Sequence, residues 1–172
     1  GIVDGLGTLV FLSYHLNKAV SFGTIECPTE IKLPAAAGAS CVLTLGADAH
    51  FTSPVSIYSL DAAKTMTLDL STSNYNMTVG NLTVTTLGVL NARSGTITCA
   101  GNFSWINSGN IISPGPNLIM SGANAVLRYP NAGSIYNTVI SGNVTVNSTG
   151  TILGSGSLTI NSGRTLTIVN GA

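Results

Sequence analysis

The sequence predicts an all-β chain wound as a parallel β-helix (β-solenoid), with three short strands in each coil of about 21 residues. Three observations predict it. Glycines recur at positions 80, 101, 122, 142 and 163, at intervals of 21, 21, 20 and 21 residues. Between them run short apolar/polar alternations separated by Gly, Pro, Asn or Ser, the period-two signature of half-buried strands. Charge is also nearly absent. Six Lys/Arg balance six Asp/Glu in 172 residues, or 7% of the chain, where an ordinary soluble domain carries about 25%.

The repeat opens on Gly-Asn-apolar-Thr/Ser-apolar: Gly80-Asn81-Leu82-Thr83-Val84, Gly101-Asn102-Phe103-Ser104-Trp105 and Gly142-Asn143-Val144-Thr145-Val146. Looser copies read Gly122-Ala123-Asn124-Ala125-Val126 and Gly163-Arg164-Thr165-Leu166-Thr167-Ile168. Eight residues after the leading glycines stand Gly88, Gly109, Pro130 and Gly150, all turn formers. A third turn signal follows at Ser94-Gly95, Pro114-Gly115 and Gly154-Ser155-Gly156. Strands are therefore expected over 81–84, 89–92 and 96–99, and in a later repeat over 144–146, 151–153 and 157–160.

Coils stacked at the ~4.8 Å strand spacing place equivalent residues in interior columns. The expected columns are Leu82, Phe103 and Val144; Val84, Trp105, Val126 and Val146; and Ile97 with Leu118, flanked by Cys99 and Met120. Outside, the 21 Thr, 19 Ser and 16 Asn can form ladders of like residues. A charge repeated in such a column would lie about 5 Å from its copy and be repelled, so stacking itself favours neutral side chains. The density of Gly and β-branched residues disfavours helix anywhere after residue 70.

Upstream the period weakens. Alternating runs at Cys41-Val42-Leu43-Thr44-Leu45 and Met66-Thr67-Leu68-Asp69-Leu70 extend the solenoid back over residues 38–172, with the clear repeats from 80. Residues 1–37 differ, holding Lys18, Glu26, Glu30, Lys32, Pro28 and Pro34 and the apolar run 7–14. They are expected to form an N-terminal cap or a segment exchanged with a neighbouring subunit.

Composition excludes several function classes. After Asp69 there is no Asp, Glu, Lys or His, and only Arg93, Arg128 and Arg164 are charged. General acid/base catalysis needs a titratable group within hydrogen-bond reach of substrate, so no catalytic residue is assigned. The acids Asp4, Glu26, Glu30, Asp48, Asp61 and Asp69 all precede the clear repeats, and only Glu26 and Glu30 are close in sequence. Asp61, Asp69 and Lys64 could meet on one coil face, with a solvated charge group as the plainer reading. No metal-site spacing or cofactor motif is present. Net charge of zero leaves no basic footprint for nucleic acid. No apolar run reaches the ~18–20 residues of a membrane-spanning helix. The arginines, 35 and 36 residues apart, are out of phase with the repeat and are expected on different faces.

Three further features carry candidate sites. Sequons occur at Asn76, Asn81, Asn102, Asn143 and Asn147. Asn81, Asn102 and Asn143 share one repeat position, where an asparagine ladder competes with glycosylation and adjacent glycans would crowd. Asn76 and Asn147 lie off that column and are the better acceptors. Cys27 and Cys41 are close enough to form a disulfide, leaving Cys99 over; three buried thiols are the alternative. The last repeat, Thr165-Leu166-Thr167-Ile168-Val169, shows no charge, proline or helix to blunt a sheet edge. The run 7–12, through Leu9 and Phe11, could pair with the edge formed by Leu166 and Ile168 of another copy, and such head-to-tail pairing does not close.

The runs Gly-Asn-Val-Thr-Val-Asn-Ser-Thr-Gly and Ser-Leu-Thr-Ile-Asn-Ser-Gly-Arg-Thr-Leu-Thr-Ile resemble repeats of secreted bacterial and archaeal β-solenoid surface proteins found in adhesins, sheaths and appendages. The likeness covers about 100 residues from Leu68 onward and implies an extracellular location and a passive role, with no functional residue carried over. The start at Gly1 rather than Met fits removal of a preceding segment such as a signal peptide. The expected function is that of an extracellular structural protein, a subunit of a self-assembling surface filament or layer. Neither enzymatic activity nor a cofactor is expected of it, and it could carry covalent glycans. The alternative is an adhesin or viral spike-type module that binds glycan or a host surface.

Overall fold

Alternating apolar and hydroxyl side chains, broken every three to five residues by turn formers, yield strands too short to stand alone. They are stable only when the next coil pairs with them. The computed structural model describes residues 2–12, 18–35, 37–106, 110–111, 116–128, 137–148 and 156–170. Every regular element among them is a β-strand, and no helix is long and apolar enough to cross a membrane.

The chain makes β1 (Ile2–Val3), β2 (Leu9–Leu12) and β3 (Lys18–Val20), then β4 (Thr24–Ile25), β5 (Thr29–Leu33) and β6 (Cys41–Leu45). The next coils are β7 (Ala49–Phe51), β8 (Val55–Ser59) and β9 (Met66–Asp69), and β10 (Met77–Val79), β11 (Leu82–Val84) and β12 (Gly88–Asn91). Then come β13 (Thr96–Cys99), β14 (Phe103–Trp105), β15 (Asn110–Ile111), β16 (Asn117–Met120) and β17 (Ala125–Arg128). The last are β18 (Asn137–Ile140), β19 (Val144–Ser148), β20 (Leu158–Ile160) and β21 (Leu166–Asn170). Sheet A runs β1-β4-β7-β10-β13-β16-β18-β20 and sheet B runs β2-β5-β8-β11-β14-β17-β19-β21. Sheet C, with five described strands, runs β15-β12-β9-β6-β3. All pairings are parallel, which makes a β-solenoid of three sheets.

Residues 2–33 belong to this stack. β1 pairs with β4, β2 with β5 and β3 with β6, so the first strands extend the same three sheets and the architecture does not change at residue 37. Coil length does change. In sheet A the later pairs Met77–Ile97, Ile97–Leu118 and Leu118–Thr138 keep close to the glycine period. The earlier pairs Thr24–His50 and Ala49–Met77 span distinctly longer stretches of chain.

The interior columns form as the repeat predicts in mid-chain: Leu82 on Phe103, Val84 on Trp105, Ile97 on Leu118 and Cys99 on Met120. Val126 departs from expectation. Phe103 pairs with Leu127, Leu127 with Val146, and Ala125 with Val144, while Val126 points outward. Ala125 follows Met120 at one residue more than Phe103 follows Cys99. With that extra corner residue Phe103 pairs 24 residues on instead of 21, an odd displacement that exchanges the two faces of β17.

The repeated glycines sit where successive coils touch backbone to backbone. A Cβ on Gly80 would lie 2.6 Å from the Thr52 carbonyl oxygen, and one on Gly122 or Gly142 would strike the carbonyl of Ala100 or Gly122. Thr86 and Leu87, at φ 40° and 58°, form a left-handed corner. It aims their carbonyls at the amides of Ser59 and Met66 in the preceding coil, at 2.8 and 3.1 Å. Gly109, Pro130, Gly150, Pro114-Gly115, Gly154-Ser155 and the strand expected at 151–153 lie outside the described residues.

Candidate functional site

Polar side chains on the solenoid serve mainly the adjacent coil. At the corner between sheets A and B the Asn81 carboxamide oxygen accepts the Asn102 amide at 2.6 Å, and that of Asn102 accepts the Val126 amide at 2.8 Å. Asn143 does the same for Thr165 at 3.3 Å. The sequon column is thus a ladder in which each amide oxygen caps a backbone N–H of the next coil. Asn76, off that column as expected, belongs to a second ladder. Its backbone N–H donates to Asp48 Oδ1 at 2.8 Å, and its Oδ1 accepts the Thr96 amide at 3.0 Å.

That second column continues. Asn117 Oδ1 accepts from Asn137 Nδ2 at 2.8 Å, and Asn137 Oδ1 accepts the Ser157 amide and hydroxyl at 3.0 and 2.9 Å. Sequence reasoning missed it. The available signal was that Asp48, Asn76, Asn117 and Asn137 stand just before the first inward residue of a sheet A strand. Asn147 lies on the outer face of sheet B, one residue past inward Val146, and pairs in register with Val169.

The acids do not converge. Asp61 Oδ1 accepts the Ala63 amide at 2.9 Å and Asp69 Oδ1 the Ser71 amide at 2.8 Å, so each carboxylate closes its own turn. Glu30 and Lys32, on the outer face of β5, form a 2.7 Å ion pair, with the Lys32 ammonium 6.0 Å from the centre of the Tyr58 ring. The hydrogen bond from Lys32 holds the Glu30 carboxyl below its ordinary range, and the bond to Glu30 holds Lys32 above its own. Burial pushes the Tyr58 phenol up. Among the described residues no group of three His, Cys, Asp or Glu could hold a metal ion. Arg93 stands at the corner between sheets C and A, Arg128 at the end of a sheet B strand and Arg164 at the corner between sheets A and B, on different faces as expected.

The disulfide expectation is corrected. Cys27, Cys41 and Cys99 are all buried free thiols. Cys27 stands in the corner before β5 of sheet B, and Cys41 opens β6 in sheet C, so the two occupy different walls of the coil. Cys99 Sγ donates toward the carbonyls of Gly101 and Asn102, both at 3.4 Å, and burial pushes its thiol up to about 11.

The remaining candidate surfaces are the two ends and one groove. The outermost strands are β1 and β20 in sheet A, and β2 and β21 in sheet B. Large exposed apolar side chains gather there: Ile2, Val3, Leu6, Val10 and Leu12 on the first coil, and Leu158, Ile160, Ile168 and Val169 on the last. Between them, among the described residues, only Leu60 is comparable. The expected edge residues Leu9, Phe11, Leu166 and Ile168 all stand in inward columns, opposite Thr29, Ile31, Val144 and Val146. Phe11 meets Phe22 edge-on with ring centres 5.0 Å apart, and Phe22 lies 6.0 Å from Phe51. Ile168 is 62% exposed. The groove, of about 510 Å³, lies beside sheet A and is lined by Ile2, Phe22, Asp48, His50, Asn76 and Thr78, among others.

These features define a parallel β-solenoid in which, among the described residues, β1 and β20 are the outermost strands of sheet A and β2 and β21 those of sheet B. No family model, no curated protein and no solved structure matches the chain.

Proposed function

We propose that this chain is a non-enzymatic structural protein, the subunit of an extracellular surface filament or layer built by end-to-end association of solenoids. One observation carries the reading: exposed large apolar side chains concentrate on the first and last coils and are nearly missing from the described walls between. Outermost strands also present rows of backbone donors and acceptors that another strand can satisfy. A second copy placed on such an edge continues sheets A and B in the same parallel sense. The contact joins two different surfaces, so it repeats without closing. The passive role is supported by carboxylates engaged in closing turns and by amides engaged in capping the next coil. The extracellular location rests on the likeness to secreted surface solenoids.

Negative-stain microscopy and light scattering over a concentration series test this. Unbranched rods that lengthen with concentration are expected. A monodisperse monomer at millimolar concentration overturns the reading.

The groove beside sheet A favours a second reading, an adhesin-type module. It sets a half-buried aromatic ring, Phe22, next to an imidazole, a carboxylate, an amide and a hydroxyl, a mixture suited to a sugar. Retention of glycans on an array by a monomer, lost in His50→Ala, is the outcome that favours it.

A further inference from the structure

The first and last coils match in detail that end-to-end association alone does not require. In inner coils, the step from the last inward residue of sheet A to the first of sheet B is three to five residues: Val79 to Leu82, Ile25 to Thr29, Met120 to Ala125. At both ends it is six. Val3, in the column of Ile25, is followed by Leu9, in the column of Thr29. Ile160, in the column of Ile140, is followed by Leu166, in the column of Val144. One constant offset in residue number therefore aligns both edges and the corner between them. It sets Val3 on Ile160, Leu9 on Leu166 and Phe11 on Ile168, every inward residue on an inward one.

The same offset places the corner residues in complementary fashion. Leu6 falls over Gly163, whose φ is +72° and whose missing Cβ faces open space, and Leu6 is the most exposed large apolar residue described. Thr8 falls on Thr165, repeating the like-on-like stacking seen inside the solenoid. Asp4 and Arg164 are the only charged residues in these two corners, and their signs are opposite.

We infer that the partner of the last coil is the first coil of a second copy of this chain, docked in that one register, with Asp4 of one copy and Arg164 of the other sharing the junction corner. This rests on the end-to-end reading above and specifies its geometry. Shifting the second copy by one residue would set the inward Leu9 and Phe11 against the outward Thr167 and Val169, mismatching the pleats of the two edges. A shift of two would break the corner match, setting Val3 and Leu9 off Ile160 and Leu166. The register is thus selected by parity and by corner length together, and it leaves the opposite charges of Asp4 and Arg164 in one corner.

The test uses the full chain carrying a cysteine pair on the outer face of sheet B, Val10→Cys with Thr167→Cys. Both positions are exposed and are related by the same offset. Neighbouring parallel strands bring such residues within disulfide range, and the three native thiols are buried. Oxidation with oxidised glutathione is expected to give a ladder of covalent multimers on a non-reducing gel. The control pair Val10→Cys with Thr165→Cys, displaced by about 6.6 Å along the strand, is expected to give none. In parallel, Asp4→Arg and Arg164→Asp are each expected to raise the critical concentration for assembly roughly fivefold at low salt, with the double exchange restoring it. Rods that cross-link through the control pair overturn the register, and rods that ignore the charge exchange overturn the shared Asp4–Arg164 corner, each while leaving end-to-end assembly standing. Absence of any assembly by the unmodified chain overturns both.

Discussion

The coils before residue 77 and those after it solve one packing problem in two ways. The later coils keep the glycine period, and their corners are held by glycine against backbone and asparagine against amide. Two of the earlier coils are longer, as the pairs Thr24–His50 and Ala49–Met77 show, while the first, with Ile2 on Thr24 and Leu9 on Thr29, stays close to that period. Their extra length lies at corners: six residues separate β8 from β9 and seven separate β9 from β10, against three and four in the following coil. The six-residue corner holds Asp61 and Lys64, while Asp48 stands in the three-residue corner before β7. Charge on strands obeys the stacking rule throughout. Glu30 lies between Val10 and Ser56, Lys32 between Leu12 and Tyr58, and Asp69 between Thr44 and Asn91. A solenoid tolerates charge where neighbouring coils differ, and the strict repeat removes that freedom.

The contrast can be broken most sharply at β17. Leu127→Asp buries a carboxylate in a fully enclosed column and is expected to abolish folding or cost more than about 4 kcal/mol, whereas Val126→Thr should change stability by less than about 0.5 kcal/mol. Urea denaturation followed by circular dichroism distinguishes them, and equal effects would mean that β17 does not slip. Next in size is the glycine column. Gly142→Ala must displace the Gly122 carbonyl and should cost about 2–3 kcal/mol. Gly38→Ala meets nothing within 4 Å, so it should be neutral within about 0.5 kcal/mol.

A smaller loss, about 1–3 kcal/mol, is expected for Asn137→Ala, which leaves the Ser157 amide and hydroxyl and the Asn117 amide oxygen without their partner. The smallest effect belongs to Glu30 and Lys32. Glu30 titrates below its ordinary 4.5 when folded, so its contribution is complete above that value and fades as pH falls below it. Lys32 titrates above its ordinary 10.5, so its contribution persists below that value and fades at higher pH. Melting temperature should respond to Glu30→Gln across neutral pH by a small decrement that vanishes toward pH 3; an unchanged decrement at acid pH would separate the effect from ionisation.

Where the period is strict, sequence distance translates directly into stacking, and the strands near 82–84, 96–99 and 103–105 could be placed from glycine spacing alone. Where corners vary, it does not. The coils formed by residues 2–33 were hidden because the corners that follow lengthen the repeat, which erases the phase needed to recognise them. One residue added before Ala125 reversed the parity of Val126, although Gly122 kept its place in the count. That Leu9, Phe11, Leu166 and Ile168 belong to the first and last strands of one sheet was legible. The second amide ladder was not, since its members Asp48, Asn76, Asn117 and Asn137 share geometry without sharing a residue type. Nor does the short stretch of sequence between Cys27 and Cys41 reveal that the two thiols sit on different walls.

The parallel pairing also fixes how this molecule would answer a pulling force. Its interstrand hydrogen bonds run along the solenoid axis, so axial tension strains them head-on and peels coils one at a time. Each regular coil occupies about 5 Å of length, and its chain, once released, stretches to roughly 70 Å. The longer coils near the start would release larger steps, of roughly 90 Å. A fibre of such units would be a sacrificial spring, lengthening more than tenfold per broken coil, with a step size that reports which end is yielding.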